Sequence, residues 1–172
     1  VKIFTRAGRA AIFDRKVYTE AFFDDDAMAD GAIVVAVVAA LTYLITLVWF
    51  DLLGGFSLTA LFQVLIGSVA SWLILGFATW LAATRLFRSS GRSQTLLAMQ
   101  GLAPLPLLLE GFGPPAAWIG LVWYLAILVM ATKEGTDLPY KFAAVSTIIG
   151  FAAAAVIRAL LGVPFALFGA LV

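Results

Sequence analysis

Five long apolar stretches with almost nothing ionisable inside them occupy most of this chain, over residues 32–50, 58–83, 95–109, 116–132 and 142–161. A bilayer's hydrocarbon core, about 30 Å thick, is crossed by roughly 20 apolar residues in a helix. Lipid offers no partner to backbone N–H and C=O groups, so a crossing segment is a helix or a strand of a closed barrel. The runs are continuously apolar and lack the period-two alternation of barrel strands, which selects helices. Charged residues make up 12% of the chain, against roughly 25% in soluble domains. The predicted fold class is an all-α membrane protein: a five-transmembrane-helix bundle over residues 31–172, preceded by a short N-terminal amphipathic segment over residues 1–30. The third stretch is short and contains Pro104 and Pro106. An apolar tail, residues 163–172, either completes the fifth span or folds back.

The residue inventory removes several chemistries. There is no His and no Cys. Triads built on His, imidazole general bases, and His- or thiolate-ligated metals and clusters are therefore excluded. Acidic residues sit mostly in the N-terminal segment and the loops, and net charge is +1, which gives no global basic bias for nucleic acid. No enzyme, cofactor or nucleic-acid partner is expected. No cleavable signal peptide is visible, because a mixed-charge segment precedes the first apolar run.

Cytoplasmic loops of membrane proteins collect Lys and Arg. Arg85, Arg88 and Arg92 lie between spans two and three, Lys133 and Lys141 between spans four and five, and Lys2, Arg6, Arg9, Arg15 and Lys16 before span one. The other loops carry Asp51 and Glu110 and no basic residue. The N-terminus is thus predicted inside and the C-terminus outside.

In the N-terminal segment Ile3, Phe4, Ala7 and Ala11 share one helical face, and Lys2, Arg6 and Arg9 the other. Val17, Tyr18, Ala21 and Phe22 repeat the spacing. The pattern predicts a helix lying on the membrane surface with its basic side, Arg6 and Arg9 included, near anionic headgroups. A solvated linker, or a helix packed on the protein's own loops, is the alternative. Asp26 or Asp30 is placed to cap the first span.

Each remaining candidate carries two readings. Arg85, Arg88 and Arg92, around Ser89, Ser90 and Gly91, suit an anionic lipid headgroup or phosphate, or serve only as a topology signal. Gly101, Pro104 and Pro106 break the third span. The freed carbonyls either coordinate a transported species or are satisfied by a neighbouring helix or Gln100. Arg158, a charge within a span, either forms an outer-face ion pair with Asp51 and Glu110 or marks a substrate site. Gly67, Ser71, Gly150 and Ala152 to Ala155 offer small faces for close helix packing. Trp49, Trp72, Trp80, Trp118, Trp123 and Tyr124 are placed as an interfacial belt.

The order of several patterns resembles the Yip (Ypt-interacting protein domain) family, in its prokaryotic branch. Residues 12–20, Ile-Phe-Asp-Arg-Lys-Val-Tyr-Thr-Glu, look like the family's lead-in to the first span. Thr84-Arg85-Leu86-Phe87-Arg88, then Leu96 to Gly101 and Pro104, resemble its basic loop and Gly-x-x-Pro helix. Val122-Trp123-Tyr124 and Ala131-Thr132-Lys133 resemble its fourth span and exit. The resemblance covers nearly the whole chain and implies a multi-pass protein of the prokaryotic plasma membrane. The family's link to vesicle traffic and Rab-type GTPases belongs to eukaryotic members with an Asp-Leu-x-Gly-Pro motif, which the N-terminal segment lacks.

The leading functional expectation is a non-enzymatic scaffold or accessory subunit. Its partners would be membrane lipids and other membrane proteins, or a second copy of itself. A small transporter or channel using the broken third span is one alternative. A lipid-binding or membrane-shaping protein is another.

Overall fold

The computed structural model describes residues 2–50 and 56–160, apart from the side chains of Phe50 and of residues 158–160. Every regular element among them is helical. Two short helices, α1 (Lys2–Ala11) and α2 (Lys16–Phe22), come first. Then follow α3 (Ala27–Phe50), α4 (Leu58–Phe87), α5 (Ser93–Gly101), a 3-10 helix (Leu105–Phe112), α6 (Pro114–Thr136) and α7 (Tyr140–Leu160).

Among the described residues four helices are long and apolar enough to cross a membrane: α3, α4, α6 and α7. The fifth candidate is the pair formed by α5 and the 3-10 helix, bent by 45°. At 1.5 Å and 2.0 Å per residue the two limbs give about 13 Å and about 16 Å. Together with the residues between them, they can span a bilayer core.

Contacts along the pair decide whether it crosses or turns back. At its start, Ser89 Oγ donates to the Thr136 carbonyl at the end of α6, 2.7 Å away. At its middle, Gly101 is pressed on Gly31, near the start of α3; a Cβ on Gly101 would lie 2.5 Å from Gly31 Cα. At its end, Gly111 packs on Ile45 and the Thr42 carbonyl, and the Phe112 ring lies 5.8 Å from that of Trp49 in the last turn of α3. The pair therefore runs with α3 and against α6, from one end of the bundle to the other. A re-entrant loop would bring both its ends to one face. Among the described residues, up to five segments therefore run from end to end of the bundle.

The break follows from proline chemistry. Pro104 and Pro106 have no N–H to continue the α-helical ladder. Ala103 N–H bonds the Gln100 carbonyl, and Leu107 N–H the Pro104 carbonyl, both spaced by three residues. Eight residues is long for a 3-10 helix. Close packing supports it: a Cβ on Gly120 of α6 would lie 2.5 Å from the Pro106 carbonyl oxygen. Gly113 (φ 100°, ψ 177°) then turns the chain into α6. That positive φ suits glycine, and the extended ψ is what a following proline requires.

The N-terminal helices pack on the bundle with part of their apolar face. Ala7, Ala10, Val17, Tyr18 and Ala21 are buried in the same core as Val34, Leu102 and Ile127. Trp123, in the first half of α6, donates to the Ala11 carbonyl at 2.9 Å. The α1–α2 hairpin thus docks on the flank of the bundle and shares its core. Its turn still presents Ile12, 72% exposed, and Phe13 outward.

Candidate functional site

The N-terminal cations are matched to carboxylates. Arg6, 5% exposed, donates from Nη1 to Asp24 at 2.6 Å and to Asp30 at 3.3 Å. Arg9 donates from Nε to Asp14 at 2.7 Å and from Nη1 to Glu20 at 2.9 Å. Lys2 also reaches Asp24. These bonds hold the carboxyls of Asp24 and Asp14 below the usual carboxylate range, the arginine hydrogen bonds being the main cause. Buried Arg6 is thus turned from the predicted headgroup contact into the protein's own acidic residues, while Arg9, also paired, stays part-exposed. Those acids lie on α2, α3 and the intervening turns, so the helical face of α1 alone gave no sign of them.

At the start of α3 the Asp26 carbonyl accepts the Asp30 N–H at 3.0 Å, which puts Asp26 at the N-cap position. Asp24 Oδ1 accepts the Asp26 N–H at 3.2 Å, and Asp30, in the first turn, is bonded to Arg6. Among the described residues no three acidic side chains are grouped as metal ligands.

Inside the spans Gln100, Thr132 and Thr147 face one another. Gln100 Nε2 donates to Thr132 Oγ1 at 3.1 Å, and Thr132 and Thr147 hydroxyls lie 2.9 Å apart. Thr147 in turn reaches the Ala143 carbonyl at 2.9 Å. One chain of donors therefore links α5, α6 and α7. Trp72 Nε1 donates to the Leu97 carbonyl at 3.1 Å. Trp72 and Tyr124 are buried in the core rather than placed in an interfacial belt; Trp49 and Trp118 are exposed. Gly150 of α7 is pressed on Thr79 and the Leu75 carbonyl of α4, and Ser71 Oγ bonds the Gly67 carbonyl within α4. The small residues thus serve contacts within the bundle.

Arg85, Arg88 and Arg92 stay exposed, and among the described residues none of them joins an ion pair with a carboxylate. Lys133 and Lys141 lie at the same, basic end. Arg92, Ser90 and Gly91 line a cleft of about 520 Å³ between α2, the start of α5 and the end of α6. The cleft is held open by a stapled loop: Trp80 Nε1 donates to the Gly91 carbonyl at 2.8 Å, and Gly91 N–H to Ser89 Oγ at 3.1 Å. Glu134 and Asp137 line the cleft as well. Tyr18 also lines it, and burial, with the Glu134 carboxylate, pushes its phenol well above the ordinary value.

Of the predicted outer-face ion pair, Glu110 is buried in the 3-10 helix at the end away from the basic loops. Asp51 and the Arg158 side chain lie outside the described residues, as does the tail 163–172. Gly101 ends α5, Pro104 precedes the 3-10 helix and Pro106 opens it. Tyr18, Glu134 and Asp137 were missed as site residues. Tyr18 had read as one apolar position in an amphipathic pattern, and the acids as ordinary loop charges.

Comparison of the chain with protein-family models, with curated proteins and with solved structures returns no match.

Proposed function

We propose that this is a non-enzymatic integral membrane protein of the prokaryotic plasma membrane that works as a scaffold or accessory subunit, through helix–helix and lipid contacts. The basic end faces the cytoplasm, with the N-terminus inside and the C-terminus outside, in a Yip-like arrangement. The observation that carries the reading is the hydrogen-bond chain from Gln100 through Thr132 and Thr147. Polar side chains within the spans bind neighbouring helices, and the break at Pro104 is packed against α3 and α6. A transport pathway would instead turn such groups toward a shared cavity. Large exposed residues such as Phe62, Ile66 and Ile148 cover the flanks, where lipid or a partner helix meets them.

Purification in mild detergent with cross-linking tests the reading. The expected result is a stoichiometric membrane partner or a self-associated form. Repeated isolation as a lone monomer contradicts it, and so does flux of ions or small metabolites in liposomes that is lost in Arg158→Ala.

A further inference from the structure

A buried polar group that its own protein leaves unsatisfied points to a missing partner. The Tyr18 hydroxyl is such a group. Tyr18 is fully buried, and of the buried side chains with an unpartnered polar atom it is the one that lines the basic-end cleft.

The cleft carries charges of both signs. It is lined by the start of α5, whose first N–H groups have no partner within the helix and whose N-cap, Arg92, makes no side-chain capping bond. It is lined too by the end of α6, with Glu134 in its last turn and Asp137 as its C-cap. A helix start favours an anion and a helix end a cation, and Arg92 and the two acids reinforce both preferences. A lone anion here would meet two carboxylates, and a lone cation would meet Arg92. Lys133, bonded to Glu134 at 2.8 Å, offsets one of the acids, so the surroundings are close to neutral. A ligand carrying both charges, a few ångströms apart, satisfies both sets of groups.

The mouth is apolar. Phe22 and Phe23, 53% and 80% exposed, stand beside it with ring centroids 5.1 Å apart. They suit the glycerol and chain side of an amphiphile. We propose that the cleft holds the headgroup of a zwitterionic phospholipid bearing a primary ammonium. Its phosphate lies toward Ser90 and Arg92, and its ammonium toward Glu134 and Asp137. A primary ammonium has three N–H donors for these oxygens, whereas a quaternary one has none. The inference rests on the membrane-contact reading above and names the lipid.

The test offers the delipidated protein, in detergent, an equimolar mixture of phosphatidylethanolamine, phosphatidylcholine and phosphatidylglycerol. Native mass spectrometry then counts what stays bound. Phosphatidylethanolamine should be retained about tenfold over either competitor, the scale of one charge-assisted hydrogen bond. Arg92→Gln and Asp137→Asn should each abolish the preference, and the near-isosteric Tyr18→Phe should weaken it with helicity and melting temperature unchanged. Lys141→Gln should leave it intact. Preferential retention of phosphatidylglycerol, or equal retention of all three, overturns the proposal. Equal retention of water-soluble glycerophosphoethanolamine moves the source of the ligand into solution and overturns the lipid assignment. Loss of selectivity in a protein that still inserts and still binds its partner defeats this inference alone.

Discussion

Arg6 shows how a cation can sit against a membrane bundle. Its guanidinium is buried, and burying a charge is tolerable when it is paired and hydrogen-bonded. Asp24 and Asp30 supply the partners, and the pairing fastens α1 to the start of α3. A carboxyl whose pKa is lower in the folded than in the unfolded state contributes stability that is whole above its ordinary value and is lost as pH falls through the folded value. Asp24 and Asp14 are both lowered from an ordinary 3.8. Hydrogen-exchange protection of the Ala7 and Ala10 amides should therefore hold from pH 7 down to about 5 and weaken progressively as pH falls below about 4, before the spans lose helicity. Protection that is unchanged at pH 3 would show that the pairs do not hold the hairpin. Gln100 tests the interior in the same way. If it serves packing, Gln100→Met keeps its volume and removes a carbonyl oxygen that has no partner. Stability in detergent should then change by less than about 1 kcal/mol, and partner association should survive. Loss of association with the fold intact would make Gln100 functional.

At the scale of elements, hydropathy made the spans legible. The four uninterrupted helices each extend their predicted stretch by up to five residues at an end, because apolarity marks the lipid-embedded part of a helix and not its polar ends. The prolines likewise announced the break. Pairing between elements was hidden. The flank docking of α1 and α2 depends on acids scattered from Asp14 to Asp30. The cleft joins Tyr18, Arg92 and Glu134, which are remote in sequence. Trp72 was placed in a belt by residue type, yet its N–H reaches the Leu97 carbonyl inside the bundle. Glycines separate the two kinds of position. Gly8 in α1 has open space where a Cβ would go, so Gly8→Ala should stabilise by up to about 1 kcal/mol through helix propensity. Gly101→Ala would drive a Cβ into the Gly31 backbone and should cost about 1–3 kcal/mol. Thermal unfolding of the two variants compares them; equal effects would mean that α3 and α5 are not closely packed.

For the whole molecule, the end-to-end segments gather the scattered basic residues at one basic end, on which both the proposed cytoplasmic orientation and the proposed headgroup cleft depend. Because the chain has no Cys, an introduced cysteine is its sole thiol. Ser90→Cys, Phe112→Cys and Asp137→Cys, labelled with a membrane-impermeant maleimide in intact cells and in inverted vesicles, read the topology directly. Positions 90 and 137 should label only in inverted vesicles, and position 112 only in intact cells. Labelling of positions 90 and 112 from the same side would make the α5 pair a re-entrant loop and contradict the five-crossing bundle.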